Sequence, residues 1–213
     1  MIRLLTPPLA HAQPSAGYIQ AYPPGIRENG GQYNHAGVWA AMACARLAQT
    51  GPHDADAPNT ANDTVYRYLT YLSPAHRAAH PTRGSVYGLE PYVMAGDVYS
   101  QPPYVGRGGW SWYTGSASWM HRAVIESLMG LQISGHNLTF TPCLPAHWPQ
   151  ATLTLRRAGR VMRFILIRAS GLAALGAREA EWVNAGSPVQ AVGQPMDWTT
   201  LPAAGTVVVL LPD

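Results

Sequence analysis

The sequence predicts a mixed α and β chain in two parts. Helices set among glycine- and aromatic-rich loops fill residues 1–134, and an antiparallel β-sandwich or jelly roll fills residues 135–213. Three observations carry this. Apolar residues recur at helical spacing in stretches before residue 135. After it, short runs alternate apolar and polar residues and are separated by turn residues. At 213 residues and 47% hydrophobic content, the chain can bury a real core, and a disordered chain is excluded.

The first predicted helix runs from His35 to Leu47, with Val38, Trp39, Ala41, Met42 and Ala45 on one face. A second covers Ser116–Leu128. Trp119, Ala123, Val124, Ile125 and Leu128 mark its apolar side, and Thr114 is its expected N-cap. A third covers Thr64–Leu72, between a polar stretch from Gly51 to Asp63, read as a surface insertion, and Pro74. In the tail, residues 151–156 alternate with period two. Ala158-Gly159 offers a turn into the run Val161–Ile167. Glu181–Val183 with Val189–Val192 form a second expected hairpin, and Thr206–Leu211 a last strand.

Charge is sparse. Charged residues make up 12%, the net charge is +3, and all 14 basic residues are arginine. The arginines are scattered and do not interleave with stacking aromatics, which argues against a nucleic-acid partner. Cys44 and Cys143 stand alone, without the spacing of a zinc site or a disulfide framework, and read as buried free thiols. The longest apolar stretch, Val161 to Ala177, is interrupted by Arg163 and Arg168, so no membrane span is expected. Pro7 and Pro8 interrupt the apolar start, which argues against a signal peptide and for the cytoplasm. Seven Trp and eleven Tyr against two Phe favour rings with a polar handle, which suit sugar stacking and wet clefts.

Two loops concentrate the chemistry, and each opens into a helix. The first, residues 22–35, packs Arg27, Glu28, Asn29, Asn34 and His35 around Gly30-Gly31. The second, residues 106–116, sets Trp110, Trp112 and Tyr113 beside the helix start at Thr114-Gly115-Ser116. Free amides at a helix N-terminus bind anions, and Gly115 leaves them uncovered. The pair suggests an oxyanion or phosphate site flanked by aromatic sugar platforms. Each residue also has a plain structural role open to it: Thr114 as a cap, His35 as a satisfied helix-start residue, Glu28 as an ion-pair partner of Arg27.

Three separated motifs resemble the C-terminal part of glycoside hydrolase family 94, a family of inverting β-glycoside phosphorylases. They are Tyr22–His35, Glu90-Pro91-Tyr92-Val93 and Gly108–Ala117, in that order, and residues 133–149 fit the family's passage into its last β domain. Within the family the chain resembles most the phosphorylase-like C-terminal module of cyclic β-1,2-glucan synthases, or a β-1,2-oligoglucan phosphorylase. The resemblance implies the last helices of an (α/α)6 barrel over 1–134 and a jelly roll over 135–213. It implies phosphate contacts from His35, Thr114 and Gly115, and sugar contacts from Glu28, with Arg27, Trp112 and Tyr113 beside it. It implies no cofactor beyond inorganic phosphate as co-substrate, and a β-glucan oligosaccharide as the other partner. A sugar-contacting glutamine of some members is replaced here by Gly96, followed by Asp97. The family's catalytic aspartate, in an Asp-Trp-Asn-Asp-like segment upstream of the first motif, has no match in these residues. The chain is therefore expected to be a piece of a longer protein, with the missing barrel segment as partner and no general acid of its own. If that protein is a synthase, its place is the cytoplasmic face of the inner membrane. The rival readings are an inactive carbohydrate-binding remnant and an inverting hydrolase with Asp97 or Glu28 as base.

Overall fold

The computed structural model describes residues 1–50, 60–168 and 187–212. They form two compact units. The described residues of the first lie within Met1–Gly51 and Thr64–Ala123, and those of the second within Pro52–Asp63 and Val124–Asp213.

The first unit carries α1 (Tyr18–Ala21), β1 (Gln32–Tyr33), α2 (Asn34–Thr50), most of α3 (Thr60–Leu72), α4 (Pro74–Ala78), α5 (Pro81–Tyr87), β2 (Asp97–Val98), β3 (Gly108–Gly109) and α6 (Thr114–Arg122). Helix α2 extends the predicted helix at both ends, and Val38, Ala41 and Ala45 are buried as its period requires. Trp39 departs from that stripe: it is half exposed, with its ring edge-on to His35 and Trp119. Gly37 lets α2 approach α3, since a Cβ there would lie 2.7 Å from Leu72 Cδ2. Helix α3 starts at Thr60, so Thr60–Asp63 are its first turn and not loop; residues 51–59 of the expected insertion lie outside the described residues.

Helices α4 and α5 were beyond the reach of periodicity, being five and seven residues long. Capping explains them. Ser73 accepts from the His76 amide ahead of Pro74, and His80 accepts from the Thr82 amide ahead of Pro81. Strands β1, β2 and β3 form a small antiparallel sheet in which Asp97 lies opposite both Tyr33 and Gly109. This sheet ties the two chemistry-bearing loops together.

Helix α6 corrects one expectation. Its N-cap is Tyr113, without a side-chain cap bond, and Thr114 is the first helical residue. The Tyr113 amide donates to Met94 O at 3.0 Å, which pins the entering backbone one residue earlier than the sequence suggests. The predicted continuation to Leu128 is a π-helix, Ala123–Leu128.

The second unit holds β4 (Leu131–Ser134), β5 (Asn137–Phe140), β6 (Gln150–Arg157), β7 (Arg160–Arg168), β8 (Val189–Ala191), β9 (Met196–Asp197) and β10 (Ala204–Leu211). Residue 135, where the composition changes, is the turn of the β4–β5 hairpin. The β6–β7 hairpin closes on Ala158 and Gly159, both at positive φ (46° and 73°), as a two-residue turn of matching twist requires. Strands β4, β5 and β9 form an antiparallel sheet, but the four-stranded sheet β6-β7-β10-β8 is mixed. Strand β10 runs parallel to β7 and to β8, against the wholly antiparallel expectation. The run 189–191 thus finds its partner in β10; Glu181–Val183, its expected hairpin partner, lies outside the described residues. The core of this unit is apolar: Phe140 packs on Phe164 at 4.8 Å between ring centres, with Met162, Leu166, Val207 and Val209 buried beside them. Cys143 is buried and Cys44 half-buried, and neither is in a disulfide. No helix among the described residues is long and apolar enough to cross a membrane.

Candidate functional site

The first loop is a tight coil held by its own backbone. Gly25 N–H donates to Asn29 O at 2.7 Å, and Gly31 N–H to Arg27 O at 3.0 Å. Gly31 has no room for a side chain: a Cβ would lie 2.8 Å from Arg27 N. Asn29 is fully buried, accepting from Leu9 N–H and donating to Tyr22 O. Asn34 is also fully buried. It donates to Ala95 O at 2.9 Å and accepts from Gln32 Nε2 at 3.0 Å, which fixes the first turn of α2 and with it His35.

Arg27 sits at φ 48°, a conformation that a long side chain rarely adopts. Its amide donates to Asp97 Oδ2 at 2.6 Å, and its guanidinium lies 5.0 Å over the Tyr22 ring and 5.5 Å over both Tyr33 and Trp110. Arg27 Nε pairs with Glu28 Oε2 at 3.4 Å. Burial works against the Arg27 charge, but Glu28 and then the Tyr22 and Tyr33 hydroxyls outweigh it and hold the guanidinium above its ordinary pKa. Tyr33 is pushed up to about 12, by burial first and then by the Tyr113 hydroxyl, 3.0 Å away. Burial likewise raises the Asp97 carboxyl, against the pull of the Arg27 amide and charge.

The second loop arrives across β3. Gly96 N–H donates to Gly109 O and Trp110 O, at 3.1 and 2.8 Å. Trp110 and Trp112 both stand at positive φ (49° and 60°), and both are about two-thirds exposed. A cleft is lined by Arg27, Tyr33, Gly96, Asp97, Trp110 and Tyr113. Gly115 packs against His35: a Cβ there would lie 3.4 Å from His35 Cε1. Four rings, of Tyr33, Trp39, Tyr113 and Trp119, surround the His35 imidazole at 4.7–6.5 Å. Within this packing His35 Nε2 and Glu28 Oε2 are buried atoms without a hydrogen-bond partner.

The fold therefore brings His35, Thr114 and Gly115 together at the start of α6, where the first amides of the helix have no intrahelical acceptor. It places Arg27 and Tyr113 in the cleft lining, with Glu28 joined to it only through its pair with Arg27, and both Glu28 and Trp112 stand outside the lining. Sequence reasoning missed Tyr33 and the buried role of Asp97, and it gave Trp110 only a general place near the cleft. Their signal is the β1-β2-β3 pairing, and two-residue strands leave no period to read. No cluster of three or more metal-ligating side chains occurs among the described residues.

Residues 1–130 match the catalytic domain of the glycosyl hydrolase 94 superfamily. The chain is similar to the cyclic beta-(1,2)-glucan synthase NdvB of Rhizobium meliloti (strain 1021), with 41% identity over 170 residues, 80% of this chain and 6% of that protein. It is similar to the solabiose phosphorylase of Paenibacillus borealis, with 32% identity over 70% of this chain and 18% of that enzyme. It also resembles the N,N'-diacetylchitobiose phosphorylase of Vibrio proteolyticus, at 25% identity over 74% of this chain and 18% of that enzyme. The chain thus spans less than a fifth of the length of each of these three relatives.

Proposed function

The chain belongs to the glycosyl hydrolase 94 superfamily, and from that premise we propose that it supplies the phosphate and donor-sugar contacts of an inverting β-glucan phosphorylase of the cyclic β-1,2-glucan synthase type. On this reading its helices are the last of an (α/α)6 barrel and its strands belong to a jelly roll. A phosphate oxygen attacks the anomeric carbon from the face opposite the leaving group, forming a bond between that carbon and the phosphate oxygen. The glycosidic C–O bond breaks, and a general acid gives its proton to the departing oxygen, leaving an α-sugar 1-phosphate. On this reading the acid lies outside these 213 residues, because they hold no Asp-Trp-Asn-Asp-like segment to match the family's acid, while Asp97 accepts from the Arg27 amide and Glu28 pairs with the Arg27 guanidinium. Those two contacts disfavour a hydrolase with either as base.

The observation that carries the reading is His35 Nε2, a buried nitrogen without a partner, on a ring packed against Gly115 at an uncapped helix start. A phosphate there would gain the imidazole and the first amides of α6. Inorganic phosphate binding, followed by 31P line broadening, tests this. His35→Ala should weaken it roughly 10- to 100-fold, as expected for one hydrogen bond to a charged group. Unchanged binding in that variant sinks the reading and leaves the inactive remnant in its place. With the upstream barrel segment added, sugar 1-phosphate should leave a β-1,2-glucan only when phosphate is present.

A further inference from the structure

Asp97 is a buried carboxylate with no part in the phosphorolysis above. It is 2% exposed and held by the sheet register between Tyr33 and Gly109. Its Oδ1 packs where a Cβ of residue 109 would stand, so only glycine fits across from it. Its Oδ2 reaches across 70 residues of sequence to the Arg27 amide at 2.6 Å. That amide belongs to a residue in the left-handed region, and such a conformation persists only where neighbours over-determine it. Gly31 completes the grip, since its amide donates to Arg27 O and its missing side chain lets the coil close.

We propose that Asp97 is a positioning residue. By accepting from the Arg27 amide it locks the left-handed turn, and so aims the Arg27–Glu28 pair at the sugar side of the site while leaving the phosphate side alone. The two sides adjoin but differ in the atoms that hold them. The Asp97 side chain grips the Arg27 amide and lines the cleft with Trp110, whereas His35 is fixed through Asn34, bonded to the backbone oxygens of Ala95 and Gly96, and by packing on Gly115. The inference rests on reading Arg27 and Glu28 as sugar contacts.

The ionised carboxylate is the better acceptor, so acidification should loosen the turn. The groups that bear on Asp97 are Arg27 and Glu28 from the loop, Tyr33 from β1 and Tyr99 just after β2; β3 presents only Gly108 and Gly109. Glu28 is the other carboxyl among them, and the Glu28→Gln variant separates its contribution.

The experiment uses the full 213-residue chain with sophorose (the β-1,2-linked glucose disaccharide) and inorganic phosphate as probes, read by 1H–15N NMR. The Arg27 amide proton should lie far downfield and move upfield as the pH falls through the Asp97 titration, in wild type and in Glu28→Gln alike. In Asp97→Asn it should not titrate. Asp97→Ala should weaken sophorose roughly 10- to 100-fold, the scale expected for a misplaced contact pair. Asp97→Asn, whose amide oxygen still accepts, should recover most of that loss. Phosphate affinity should change less than about twofold in both. An Arg27 amide that ignores pH in wild type overturns the proposal, even if Asp97→Ala fails to fold. So does equal weakening of sophorose and phosphate. If wild type binds no sophorose, the sugar-site reading fails on its own, and the Arg27 amide still decides whether Asp97 holds the turn.

Discussion

The four-stranded sheet buries Met162, Phe164, Ile165, Leu166, Ile167 and Val207–Val209, while the unit that carries His35 buries Asn29, Gln32, Asn34, Asp97, Ser100 and Ser116. In the second unit Ser127 is the one buried polar residue among those described. Backbone strain divides the same way. Leu5, Arg27, Trp110 and Trp112 take positive φ in the first unit, against Ala158 at a hairpin turn in the second. The β unit is held by apolar area, which is strong and directionless. The site-bearing unit also buries apolar residues, Val38, Leu69, Leu72, Tyr87 and Val98 among them, but adds buried hydrogen bonds between particular atoms, which contribute little net stability each but specify geometry. Conformations that a ligand site needs, such as the Arg27 turn, require the second kind of support.

The sharpest way to break this comparison is to delete one anchor from each side. Phe164→Ala removes a fully buried ring that packs on Phe140, and should cost about 3–5 kcal/mol in urea unfolding followed by far-UV circular dichroism. Asn34→Ala removes less volume but leaves Ala95 O with only the longer Ser116 Oγ bond (3.3 Å) and Gln32 Nε2 with only Tyr71 O. It should cost about 1–2 kcal/mol, mostly as two lost hydrogen bonds that keep one partner each. The two should differ in kind as well as size. Asn34→Ala should shift the His35 ring resonances in NMR, whereas Phe164→Ala should act on stability with little displacement of them. If Asn34→Ala leaves His35 unmoved, the polar network is merely cohesive and the contrast fails.

How much of this was legible in the sequence follows from the same physics. Helices α2 and α3 and the β6–β7 hairpin were readable because burial in water imposes a period on side chains, and those elements are long enough to show it. His35, Thr114 and Gly115 were readable from motif resemblance, and the fold does place them together. The Arg27–Asp97 bond was not, because one side chain meeting one amide 70 residues away leaves no pattern in composition. The parallel placement of β10 was not readable either. Alternation says which residues face the core, but carries no information on strand direction, and hairpins are the default only for neighbouring strands.

The smallest expected effect isolates backbone strain from side-chain role. Ala158 and Arg27 have nearly the same positive φ, 46° and 48°, so each gains from glycine's freedom by a comparable amount. At Ala158 nothing else is at stake: the residue is exposed, in a turn that already uses Gly159. Ala158→Gly relieves about 1–2 kcal/mol of left-handed strain and loses about 0.5–1 kcal/mol to the freer unfolded chain. The net is a gain of at most about 1.5 kcal/mol, measurable as a shift in the urea midpoint at unchanged slope. Arg27→Gly makes the identical backbone change but deletes the guanidinium that lies over Tyr22, Tyr33 and Trp110 and pairs with Glu28. Its stability should move as little as that of Ala158→Gly, while Trp110 loses its cationic neighbour and its indole resonance shifts. A large loss of stability in Arg27→Gly would mean that the cation–ring stack holds the loop together, and that the site-bearing unit leans on its ligand-facing residues more than on its buried amides.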